Sequence, residues 1–256
     1  MNILFDNVIT LLATGLIPML RISAMVISAP LISLDVVSLP IRIVISIALT
    51  WLVYPHINIP AFDPMSAEGF TLIAREIFIG SIIAVVLQVV NAALIVAGQA
   101  LSAGMGLGMA QVMDPSAGNV PVMSSFFIIL STLIFMTFGG HSLLFLLVIQ
   151  SFEIVPIGVV FDIPLVIWNL MIWSSMIFLG AMLVAMPIML TMMLINVCLG
   201  VITRSAPALN IFAVGFPAMI IAGLIMVFVM LTNIGHRIEW LWLEAFKQVA
   251  EIWQVT

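Results

Sequence analysis

Apolar residues run through this chain in long blocks, and the blocks differ too much in length to be a set of plain membrane spans. The first, residues 3–34, is interrupted by Pro18, Arg21 and Pro30, which predicts a broken element and not one simple helix. Residues 41–54 would reach only about 21 Å as a helix, short of a hydrocarbon core of roughly 30 Å. Arg42 at one end and Trp51 with Tyr54 at the other extend it by anchoring at the interfaces. The segment 56–69, HINIPAFDPMSAEG, holds two prolines, two acids and no base and reads as an external loop. Residues 71–97 then predict a long helix. Residues 122–138 and 142–152, parted by Gly139, Gly140 and His141, predict a bent or hairpin element. A second acidic loop around Pro156, Gly158, Asp162 and Pro164 leads into residues 165–200, which are apolar throughout with Pro187 inside, too long for one span and too short for two. Arg204 to Asn210 reads as a polar turn. Residues 211–232 make the cleanest single span, although Gly215 and Pro217 distort its entry.

Two stretches depart from this pattern. From residue 234 the chain is amphipathic: Ile234, Ile238, Leu241, Ala245, Val249 and Ile252 recur at helical spacing, while Glu244, Lys247, Gln248 and Glu251 cluster elsewhere. Residues 234–256 are therefore expected to form an amphipathic C-terminal tail that docks on another subunit, since its acids outnumber Arg237 and Lys247 and make anionic lipid a poor partner. Residues 98–121, GQALSAGMGLGMAQVMDPSAGNVP, combine glycines, small residues and methionines and end in a proline-bounded polar turn. Such backbone is tolerated between apolar spans only if protein buries it or if it lines an aqueous cavity.

Composition sets the class. Hydrophobic residues are 64% and charged residues 7% of the 256, with a mean hydropathy of +1.39, which places the chain among all-α integral membrane proteins. That length supplies one membrane domain with no separate soluble one. An arginine near a helix centre costs about 2.5 to 3.5 kcal/mol on insertion scales and each Leu or Ile offsets about 0.3 to 0.6, so Arg21 is expected to have a partner. Arg75 and Glu76 are neighbours in sequence and point to different faces, which implies no ion pair between them. The formal charge of -5 is spread thinly, without a basic run, and suggests no nucleic-acid surface and no polybasic lipid anchor. The start, MNILFDNVITLL, lacks a basic n-region and reads as retained sequence. Cys198 is alone, which excludes an internal disulfide and a cysteine metal cluster.

Catalytic chemistry finds no constellation. His56, His141 and His236 fall in separate loops, and no His, Asp or Glu pair has the spacing of a zinc or di-metal site. Gly104, Gly106 and Gly108 superficially resemble a phosphate loop, but no Lys-Ser or Lys-Thr follows. No catalytic residue, cofactor or metal is therefore expected. Two readings of the glycine-rich stretch stay open. As a helix it places Gly98, Ser102, Gly106 and Ala110 on one small-residue stripe where another backbone can approach closely, with Met105, Met109 and Met113 as a compliant second stripe. As a loop it forms a mobile plug in a pore, with glycine hinges, methionine packing and a turn at Asp114-Pro115.

Arg204-Ser205-Ala206-Pro207-Ala208-Leu209-Asn210-Ile211-Phe212-Ala213-Val214-Gly215-Phe216-Pro217 closely resembles the hallmark of the FliR family of flagellar export-gate proteins, shared in related form by injectisome (SctT-type) subunits. The block ending in Asp114-Pro115 is similar to that family too, and so is the succession of apolar segments from end to end. The chain departs from the usual Pro-Gln in having Pro207-Ala208. The resemblance implies kinked and broken helical hairpins packed in a helical hetero-oligomeric gate with several FliP and FliQ subunits and with FlhB, in the bacterial inner membrane within the flagellar basal body. Unfolded flagellar proteins would pass through it. It further implies a luminal plug over about residues 98–122, with Gly104, Met105, Gly106, Gly108, Met109, Met113, Asp114 and Pro115, and a subunit-packing motif of Arg204, Pro207, Asn210, Phe212, Gly215 and Pro217. A small-solute transporter built on broken helices is the competing reading, although the halves show no inverted repeat. A purely structural anchor and the injectisome counterpart are the others.

Overall fold

The computed structural model describes residues 2–29, 37–57, 59–60, 66–107, 121–205 and 211–253, and among these every regular element is helical. The α-helices are α1 (Asn2–Ser28), α2 (Leu39–Val53), α3 (Ala67–Gly104), α4 (Val122–Thr137), α5 (Gly140–Ile154), α6 (Ile163–Ser174), α7 (Met176–Ser205), α8 (Ile211–Val229) and α9 (Leu231–Glu251). Four helical stretches, Leu39–His56, Ala67–Gly104, Ile163–Ile202 and Pro217–Glu251, are long and apolar enough to cross a membrane, and α4 with α5 makes a fifth if taken as one broken span. The chain is an all-α membrane protein.

Several breaks fall where the sequence places them. Gly139 stands between α4 and α5 with a φ of 74°, a left-handed conformation that glycine adopts without a steric cost. Others differ. α1 is one helix straight through Pro18, since a proline removes only one backbone donor and a long apolar helix keeps the remainder paired. α3 does not stop before the glycine-rich stretch but continues through Gly98 to Gly104. The long apolar run 165–200 resolves into α6 and α7, parted at Ser175, and Pro187 lies within α7 without ending it.

By Cα proximity the chain divides into two compact units, Met1–Val89 with Gly139–Ser174 and Ala245–Thr256, and Val90–Phe138 with Ser175–Glu244. In the first, α1 and α2 pack together, and α1 meets α3 at Gly80, where a Cβ would overlap the carbonyl oxygen of Arg21. The Trp173 indole donates to the Val86 carbonyl at 3.0 Å, and the Gln88 amide donates to that of Ser28 at 2.6 Å. α2 turns the usual amphipathic order inside out. Its buried residues are Ser46, Thr50 and Val53, the two hydroxyls donating to carbonyls one turn back within α2 itself, while Val44, Ile47 and Trp51 face outward.

In the second unit α7 and α8 pack on each other. Trp242 of α9 is completely buried, its indole donating to Ser131 Oγ at 2.8 Å and its ring lying 4.7 Å from that of Phe135. Gly180 faces Ala93 and Leu241. The outer faces of α7 and α8 are apolar: Phe178, Met182, Leu190, Met193 and Phe228 are among the exposed large side chains. The expected stripe of α9 is found at Ile234, Ile238 and Leu241 here and at Ala245, Val249 and Ile252 in the first unit, all buried. Its apolar stripe is thus buried within the chain and is not free for another subunit, a correction to the expected docking; Trp242, a bulky residue that the spacing did not single out, is buried with it.

Candidate functional site

The described ends of the glycine-rich stretch lie in the second unit and are both tied down. α3 closes in a glycine-capped turn: the Gly106 amide donates to the Ala103 carbonyl at 3.0 Å and the Leu107 amide to that of Ser102 at 2.9 Å, with Gly106 at a φ of 77°. These are the paired bonds of a Schellman cap, which needs a left-handed residue at the position Gly106 fills. The stripe expected over Gly98, Ser102, Gly106 and Ala110 therefore stops at Ser102. Gly106 terminates the helix instead of extending it, and Ala110 lies outside the described residues.

Met105, the residue before the cap, is completely buried. Its side chain fills the space beside Gly223 of α8, where a Cβ would come within 2.6 Å of Met105 Cγ and Cε and 2.9 Å of its sulfur. On the return side, Ser124 in the first turn of α4 crosses α3 at Gly98 so closely that a Cβ on the glycine would overlap the Ser124 backbone. The Ser124 hydroxyl donates to the Ile95 carbonyl at 2.9 Å. Such contacts are what small residues supply where backbones meet without a water-driven core. Gly104, by contrast, faces open space. Buried Ser102 Oγ has no hydrogen-bond partner among the described residues.

Gly108, Met109, Met113, Asp114 and Pro115 lie outside the described residues, as do Pro207 and Asn210. Of the second expected group, Arg204 is exposed in the last turn of α7, Phe212 is in the first turn of α8, Gly215 is buried in α8, and Pro217 is an exposed residue inside that helix. The structure brings Met105 to Gly223, a position that sequence reading passed over because a lone glycine within an apolar span carries no periodic signal.

The first unit contains the partner that Arg21 requires. Its Nε donates to Glu76 Oε2 at 2.6 Å and its Nη2 to Glu76 Oε1 at 3.0 Å, a bidentate pair. Nη2 also donates to the Val155 carbonyl at 2.9 Å, and Nη1 to the Ser151 carbonyl at 2.7 Å and its hydroxyl at 3.5 Å. All five N–H donors of the guanidinium are engaged, and its carbon sits 4.2 Å from the centre of the Phe152 ring. Both ionic side chains are 1% exposed. A buried, fully bonded pair of this kind joins α1, α3 and α5 and holds no position open for a substrate. Among the described residues no three His, Cys, Asp or Glu side chains come together.

The profile of the bacterial export proteins, family 1, matches residues 12–245. The chain belongs to that family. Similar proteins within it extend over the same length: the flagellar biosynthetic protein FliR of Pectobacterium carotovorum is 32% identical over 92% of this chain and 90% of its own. That of Escherichia coli K12 is 30% identical over the same shares, and that of Aquifex aeolicus is 30% identical over 84% of this chain and 83% of its own. In this member of the export family, then, the buried charges serve the scaffold, and the tied-down ends of the glycine-rich stretch are the feature open to a functional role.

Proposed function

We propose that the chain is the FliR-type subunit of a flagellar type III protein-export gate. It sits at the bacterial inner membrane within the flagellar basal body, packs with several FliP and FliQ subunits and with FlhB, and forms part of the path for unfolded flagellar proteins. The end-to-end similarity to flagellar FliR proteins carries this reading. The outward apolar faces of α2, α7 and α8 support it, because surfaces of that extent call for protein neighbours or lipid. The subunit contributes shape and packing, and energy for transport comes from other components. Residues 204–217 form its subunit-packing motif, with Pro207 and Asn210 shaping a tight turn.

Residues 106–122 serve as the plug of the resting gate. Support comes from their two roots: the Schellman cap and buried Met105 at one end, and Ser124 seated on Gly98 at the other, leave the intervening chain tethered at fixed points. Gentle detergent extraction followed by native mass measurement is expected to give a large assembly containing FliP and FliQ; a lone monomer or symmetric dimer would favour the transporter and overturn the assignment. Deleting residues 106–122 is expected to leave that assembly intact but leaky to ions, and a tight assembly after deletion refutes the plug.

A further inference from the structure

We propose that a hollow between α7 and the start of α9 holds the headgroup of an anionic phospholipid, with an acyl chain laid along α7. The hollow has a volume of about 470 Å³ and is lined by Leu183 of α7 and by Asn233, His236, Arg237 and Trp240 of α9, all within the second unit. Arg237 is half-buried, and among the described residues it has no ion pair and no hydrogen bond. A guanidinium held against an apolar wall calls for an anion, and its planar fork matches two phosphate oxygens. Asn233 lies one turn back at the same opening, its amide donating to the sulfur of Met230 at 3.7 Å, a weak bond that a phosphate oxygen improves on. No acid lines the hollow. Acids outnumber bases over the tail as a whole, yet Glu239 opens onto a different hollow beside Thr137 and Thr232, and Glu244 and Glu251 lie further along α9.

Depth and shape select a lipid as the source of that anion. α8 is apolar as far as Val229, and polar positions begin at Thr232. Trp240 is exposed in part, and its amphipathic ring settles at the headgroup level of a bilayer. From Leu183 an exposed apolar stripe leads along α7 through Met186, Leu190 and Met193 at helical spacing. Gly180, one turn before Leu183, meets Leu241 of α9, so the stripe runs away from α9. Ten residues of helix cover about 15 Å, half of a hydrocarbon core of roughly 30 Å and so the depth of one leaflet. A basic hollow at the membrane surface above such a stripe is a headgroup site continuous with a chain groove.

The test uses the full-length chain, purified with the subunits that accompany it and exchanged into detergent holding equal amounts of phosphatidylglycerol and phosphatidylcholine with the same acyl chains. Bound lipid is counted by mass. The parent should retain phosphatidylglycerol about fivefold over phosphatidylcholine, the discrimination that one cation gives beside an anionic headgroup, and the preference should fall as salt rises. Arg237→Gln should bring the ratio close to one while Arg237→Lys keeps most of the preference, a split that lost packing alone does not produce. Equal ratios in the parent and Arg237→Gln overturn the proposal. Should Arg237→Gln fail to fold, Leu183→Trp fills the hollow without touching a charge and should abolish the preference; an unaltered preference overturns the proposal. Benzoylphenylalanine in place of Trp240, photolysed in the cell membrane, tells lipid from protein: adducts with the mass of phosphatidylglycerol support the site, and adducts to another subunit in their place overturn it. The site stands apart from the export-gate reading, since a lone monomer that keeps the preference removes the gate and leaves the lipid.

Discussion

The two units of the chain are closed by different chemistry. In the first, a guanidinium with every donor satisfied ties α1 to α3 and α5, and Gly80 admits the backbone of the arginine itself. In the second, Gly98 and Gly223 each admit a neighbouring group to where a Cβ would stand, Gly180 packs tightly against Leu241 and Ala93, and the buried Trp242 indole donates to Ser131. Helices in an apolar solvent gain little from burying more apolar surface and must be held by polar closure or close backbone fit. The first solution is specific in its partners and tolerates no vacancy. The second is specific in its shape, and it stands where the proposed plug is rooted.

Substitutions should separate the two. The largest expected effect is Glu76→Leu, which strands a buried charge and should cost about 3 to 5 kcal/mol. A detergent-solubilised sample followed by thermal circular dichroism would show it as a large loss of melting temperature, and joint replacement with Arg21→Met should recover much of that loss. A single variant that melts like the parent would remove the ion pair from the account of the first unit. Next comes Gly98→Val, expected to cost about 1 to 3 kcal/mol by forcing α4 off α3. Because it meets backbone atoms of Ser124, truncation of that side chain to Ala should not rescue it; rescue would show that the fit is a side-chain matter. The smallest is Trp242→Phe, which keeps an aromatic face toward Phe135 and loses one hydrogen bond to Ser131, worth about 1 kcal/mol. A loss as large as that of Glu76→Leu would mean that the second unit too depends on polar closure.

The amino-acid pattern yields much of this architecture and little of what joins it. The ends of α2, α4 and α5 lie within two residues or so of the apolar runs, because Gly139 and the flanking polar residues are local signals. The stripe of α9 is equally local. That Arg21 needs a partner follows from insertion cost, yet Glu76 is 55 residues away, and attention to its sequence neighbour Arg75 looks along the chain when the answer lies across it. The same blindness covers Gly223: glycine in a membrane helix is common enough that only its neighbour in space, Met105, reveals why it is there. Within the glycine-rich stretch, the helical reading holds as far as Gly104 and Gly106 ends it, since one residue can serve as stripe or as cap and only the hydrogen bonds decide.

The closure around Arg21 also sets a timetable. The arginine leaves the ribosome before any of its partners: Glu76 follows 55 residues later, and the Val155 carbonyl 134 residues later. At about 5 to 20 residues per second, about 7 to 27 seconds pass before the last acceptor has been made. Throughout that interval the first helix carries a charge that its final surroundings do not yet satisfy. Commitment of α1 to its place is thus gated by synthesis of α5, and a ribosome stalled between the two would leave the N-terminal helix as the segment most open to capture by quality-control proteases.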